Sequence, residues 1–132
     1  RAMSDRRPDR VYGILVRPGQ VFVRDVAGAL GLPGGVFRPL AEDRKVELRA
    51  HLWDQLGIEA SAIWAQGAFD YRDPAEDRPW FSGFYTVWQW QPDPAPGAGR
   101  WLTRDGVLAA DLCPSLRILL ISILDTIAIK TT

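Results

Sequence analysis

Glu47, His51 and Asp54 stand four and three residues apart. On a helix this spacing lines all three side chains along one face. A carboxylate, an imidazole and a second carboxylate in a row could hold a divalent ion such as manganese or zinc, which accept imidazole. His51 could equally serve as a general base held in place by Glu47. A plainer alternative is a hydrogen-bonded pair on a solvated helix face, since a single histidine without cysteines is a thin donor set. Upstream, Gly34 and Gly35 allow positive φ and a close backbone approach to whatever sits there. Arg38 could contact a phosphate or stay solvated. Trp80 follows a polar loop and could stand at a pocket rim, where an aromatic face stacks on a base.

These groups need a helix to present them, and the sequence punctuates one clearly. Asp43 is a good N-cap. Leu48, Leu52 and Leu56 are spaced by four and predict one buried stripe. Gly57 suits the left-handed residue that ends a helix. The expected helix is Arg44–Leu56, with Arg44, Glu47, His51, Asp54 and Gln55 on its other face.

Around it, Val11–Arg17 and Gln20–Val26 are β-rich runs joined by Pro18-Gly19, which predicts a hairpin. Ala27–Leu32 leads into the glycines. Ser61–Tyr71 reads as a strand interrupted at Gly67. Trp80–Trp90 has two apolar faces and reads as a central strand. Its Tyr85, Trp88 and Trp90, together with Trp64, could stack bases, but filling a core is the plainer role for strand aromatics. Arg100–Thr103 suits a short strand and Asp105–Asp111 a short helix. Pro114 suits the first position of a last helix, Ser115–Ile127. The order predicts an α/β (α+β) fold, a mixed sheet packed between helices, as one domain over residues 11–132 behind a flexible tail at 1–10. Arg1-Ala2 ahead of Met3 reads as a cloning remnant.

The segment from Gly35 to Ile58 resembles the Nudix box of the Nudix hydrolase superfamily. That pattern runs from a glycine over five residues to a glutamate, then over seven to Arg-Glu-aliphatic-x-Glu-Glu-x-Gly-aliphatic. Gly57 and Ile58 fit its end, Leu52 its first aliphatic position, and Glu42 its single glutamate. Gly35 fits the opening glycine with one extra loop residue. The positions that carry the chemistry differ: Ala50 replaces the arginine, His51 the glutamate beside it, and Asp54 and Gln55 the acidic pair. The lead-in Leu30-Gly31-Leu32-Pro33-Gly34-Gly35, the hairpin and the C-terminal half extend the likeness over most of the chain.

The resemblance implies a pyrophosphohydrolase of nucleoside-diphosphate-linked compounds that uses magnesium or manganese. It would place the metal on Asp54, His51 and Glu42, the catalytic work on Asp54, His51 and Glu47, and the substrate on Gly34, Gly35, Arg38 and Trp80. An acidic residue outside the box serves as base in some members, which brings in Glu76 or Asp77, with Asp73 in the same loop. A magnesium ion prefers anionic oxygen ligands, and the substituted face offers few. Two classes therefore stand open. One is a divergent hydrolase with weak activity. The other is a catalytically inactive module, its box only scaffold and without a metal, that binds a nucleotide or a protein partner.

Composition narrows the setting. A chain of 132 residues is long enough for one core. Sixteen basic and sixteen acidic side chains cancel, so no charge footprint for broad nucleic-acid binding exists. One cysteine, Cys113, excludes an internal disulfide and a cysteine-based zinc site. No apolar run approaches the roughly 20 residues of a membrane span. A cytoplasmic protein is the expectation. Ser115–Ile127 is apolar on nearly every side, which predicts burial all round and suggests a homodimer through its second face.

Overall fold

The structure, a computed structural model, describes residues 7–37 and 43–131. Its strands are β1 (Arg10–Arg17), β2 (Gln20–Val26), β3 (Ala29–Gly31), β4 (Gly34–Val36), β5 (Glu59–Tyr71), β6 (Trp80–Gln91) and β7 (Arg100–Leu102). Its helices are α1 (Arg44–Leu56), α2 (Arg104–Ala109) and α3 (Pro114–Thr131). The mixed sheet runs β3-β2-β1-β6-β5, with β4 on β1 and β7 on β2. Among the described residues, no helix is long and apolar enough to cross a membrane.

Strand β1 is the hub. It pairs in parallel with β6 from Arg10↔Ser82 to Leu15↔Val87. Its other edge is divided: β4 takes Arg10–Tyr12, and β2 takes Val16 and Arg17 across the Pro18-Gly19 turn. Side chains alternate, so each face of the sheet receives its own core. Tyr12, Ile14 and Val16 join Phe84, Tyr71, Leu116 and Leu120 under α2 and α3. Val11 and Leu15 join Val87, Ile63, Leu48, Leu52 and Leu56 under α1. Between them sits Gly13, where an added Cβ would lie 3.3 Å from Leu48 Cδ1 and 3.4 Å from Leu52 Cδ2. The missing side chain lets α1 settle on the sheet.

Helix α1 has the expected bounds. Asp43 accepts a hydrogen bond from the Lys45 N–H at 2.8 Å, and Gly57 closes the helix at φ 69°. The Leu48, Leu52 and Leu56 stripe is buried, each leucine worth roughly 1.5–3 kcal/mol of apolar burial.

Elsewhere the structure departs from the sequence reading. Ala27–Leu32 is no simple lead-in: Ala27 (φ 50°) and Gly28 (φ 82°) turn the chain back, and β3 pairs with β2. In β5 the irregularity falls at Gln66, the extra residue between the pairs Ala65↔Tyr85 and Gly67↔Phe84. Trp64 and Trp88 do not fill the core. Trp64 is 59 % exposed and Trp88 is 37 % exposed. Trp90 is partly buried and stacks on Trp101 at 5.7 Å. Tyr85 is buried. Helix α3 is not enclosed all round: Leu116, Leu120, Ile123, Leu124 and Ile127 are buried, while Ile118 faces out.

Candidate functional site: the α1 face against β4

The face of α1 that carries His51 and Gln55 is turned toward β4. Gln55 Oε1 accepts from the Gly34 N–H at 2.9 Å and from Arg24 Nη1 at 2.7 Å. Its Nε2 donates to the Gly34 carbonyl at 2.8 Å. One side-chain amide thus satisfies both backbone groups of one glycine. One turn earlier, His51 Nε2 lies 2.9 Å from the Val36 carbonyl oxygen. A carbonyl only accepts, so Nε2 is the donor in this contact. The imidazole covers Gly35, where an added Cβ would stand 3.2 Å from His51 Cε1.

The two glycines are used by the protein itself. Gly34 has φ 144°, and a Cβ there would strike the Val11 carbonyl oxygen of β1. Gly35 has φ 155° and pairs with Val11. Strand β4 is therefore held between the β1 backbone on one side and two side chains of α1 on the other.

Arg24, on β2, completes the arrangement. No basic residue lies in the last turn of α1, where the helix dipole leaves partial negative charge. The Arg24 guanidinium supplies positive charge there from outside the helix, and its Nε is buried without a partner. Glu47 is not on a solvated face; it is 5 % exposed. Asp54 is exposed. Arg38 and Glu42 lie outside the described residues.

These donors do not suit a hard divalent cation facing a diphosphate. The Gln55 amide is engaged at both ends. One nitrogen of His51 is tied to Val36. The Arg24 guanidinium, 2.7 Å from Gln55 Oε1, puts positive charge beside the place a cation would take. Among the described residues of this face, Asp54 alone offers an exposed carboxylate, where magnesium prefers several anionic oxygens. Among the described residues, no three His, Cys, Asp or Glu side chains gather as a metal site.

The other candidates lie at the same end of β1, around Arg10, which pairs with Val36 of β4. The Trp80 ring carries two guanidinium groups, Arg10 at 4.2 Å and Arg78 at 3.6 Å from its centroid. The protein's own cations thus occupy the stacking surface expected for a base. Arg10 also binds Glu76, Nη2 to Oε1 at 3.1 Å. Asp73 is buried and accepts from the Ala75 N–H at 2.9 Å. Glu76 and Asp73 therefore have structural partners. Tyr12 and Tyr71 are buried close by. Burial pushes both phenols well above their ordinary range, and the Asp73 carboxylate pushes them further. The Tyr71 hydroxyl has no hydrogen-bond partner.

Sequence reasoning treated Gln55 only as an absent carboxylate. The available signal was chemical: an amide donates and accepts, as an extended glycine backbone requires. Arg24, 31 residues away, left no local signal.

No protein-family model matches the sequence, and no curated protein matches it either. Solved structures do match in fold. A MutT NUDIX hydrolase from Burkholderia pseudomallei aligns with TM-score 0.68 at 23 % identity, covering 84 % of this chain and 93 % of that one. A MutT protein from Bacillus halodurans aligns with TM-score 0.70 at 17 % identity, covering 89 % and 82 %. A chain from the complex between the C-terminal domain of mouse MUTYH and human PCNA aligns with TM-score 0.64 at 17 % identity, covering 92 % and 90 %. The chain has the fold of the Nudix hydrolases, as the box-like segment led one to expect.

Proposed function

We propose that this chain is a Nudix-fold binding module, for a nucleotide-like ligand or a protein partner, in which the helix face used elsewhere for metal chemistry serves as a clamp. One observation carries the reading. His51 and Gln55, at two box positions, spend their hydrogen bonds on the backbone of β4. The Gln55 amide, engaged at both ends, is not free to bind an ion, and His51 keeps one ring nitrogen for it. That a chain of this fold occurs in the MUTYH–PCNA crystal structure agrees with a role in binding.

A second reading, a divergent pyrophosphohydrolase with weak activity, draws on Asp54. Its carboxylate is exposed, and with Glu42 and the Nδ1 of His51 it could still attract manganese or magnesium. Calorimetric titration of each ion into wild type and Asp54→Ala, followed by a panel of nucleoside-diphosphate-linked substrates, separates the two. The module reading expects no saturable ion binding and no turnover, and ligand binding that persists in chelator. Saturable binding lost in Asp54→Ala, with metal-dependent turnover, overturns it.

A further inference from the structure

We propose that the outer face of α3, together with Leu108 of α2, is a two-fold interface with a second copy of this chain. The inference is independent of whether the domain hydrolyses anything. Ile118 is 71 % exposed and Leu108 is 49 % exposed, and the two stand together rather than scattered singly. They share a groove of about 540 Å³ with Ile121, and Arg117 and Asp125 line the same groove.

The charges say what covers it. Ile121 lies midway between Arg117 and Asp125 in the sequence. At 1.5 Å per residue, the two charges are about 12 Å apart along the helix. When a second α3 packs antiparallel about a two-fold axis at Ile121, a residue four before the centre is level with one four after it. A two-fold contact repeats every pairing. Arg117 of each copy then reaches Asp125 of the other, on both sides of an apolar centre. A partner of one charge sign would meet a like charge at one end of the groove.

Both groups have capacity to spare. Arg117 donates from Nη2 to the Ala110 carbonyl at 2.6 Å and its Nε is buried, so Nη1 is the nitrogen left to reach a second copy. Asp125 accepts from Arg104 Nε at 2.9 Å through Oδ1, with both side chains about half exposed. Asp125 Oδ2 remains for a second guanidinium.

Sedimentation equilibrium over a wide concentration range tests this. The wild type is expected to pass from monomer to dimer mass as concentration rises. Ile118→Glu changes an exposed side chain, so the fold survives, and should raise the dimer dissociation constant at least about tenfold. Arg117→Asp and Asp125→Arg should each weaken the dimer, and the double exchange should restore it. A wild type that stays monomeric at the highest concentration overturns the proposal. So does a dimer indifferent to Ile118→Glu, an assembly that grows past two copies, or a double exchange no tighter than the singles.

Discussion

Gln55→Leu is the substitution that probes the clamp most directly. Leucine is one atom shorter than glutamine and has similar helix propensity, and it removes all three hydrogen bonds, at 2.7, 2.8 and 2.9 Å. A neutral hydrogen bond contributes about 0.5–1.5 kcal/mol net, and one to a charged group about 1.5–3. Gln55 and Gly34 are partly exposed, so water re-solvates some of the orphaned groups and the lower ends apply. The expected loss is about 2–3 kcal/mol. For a domain of this size it lowers Tm by roughly 6–12 °C. Scanning calorimetry in the presence of chelator measures this with metal out of the question. If Gln55 instead marks the remnant of an ion site, removing it should leave the metal-free protein unchanged or firmer. A Tm within about 2 °C of wild type, or above it, would refute the clamp.

Three further predictions concern the buried phenols. Tyr71→Phe deletes a hydroxyl without a partner from a residue 3 % exposed, and should stabilise the fold by about 1 kcal/mol in urea titration. Tyr12→Phe instead takes a hydrogen bond from the buried Asp73, and should cost about 1–2 kcal/mol. Both phenols hold their protons more tightly folded than unfolded, where they ionise near 10.0. Their contribution is therefore complete below that pH and is lost progressively above it. Urea midpoints taken from neutral pH to about 11 should fall at the alkaline end, and the fall should shrink in Tyr71→Phe.

The parts of the fold legible in the sequence are those fixed by neighbours in the chain. Pro18-Gly19, the Asp43 cap, the leucine stripe ending at Gly57 and Pro114 are all local signals, and each element stands where they put it. What stayed hidden depends on partners far away. Nothing near Trp64 reveals which part of β5 is left uncovered, so its exposure could not be read from aromatic content. Strands β3 and β4 are three residues each, too short for a period to register. Glu47 reads as a surface residue by type, yet is buried. The site was half legible: spacing identified the face, but only the position of β4 shows that His51 and Gln55 bind backbone.

The clamp also bears on which neighbouring sequences this chain can reach. Changing Gln55 to glutamate alone would set a carboxylate against the Gly34 carbonyl, which now receives a donor at 2.8 Å. Changing His51 to glutamate alone would do the same at the Val36 carbonyl, now 2.9 Å from Nε2. Each single exchange replaces an attraction by a repulsion between two acceptors; at position 55 the Arg24 guanidinium, now 2.7 Å from Oε1, offsets part of it, and at position 51 no such cation is in place among the described contacts. A route to an acidic helix face that begins at His51 thus crosses a less stable intermediate. The Val36 carbonyl acts as a filter on position 51, favouring a donor there over an acceptor.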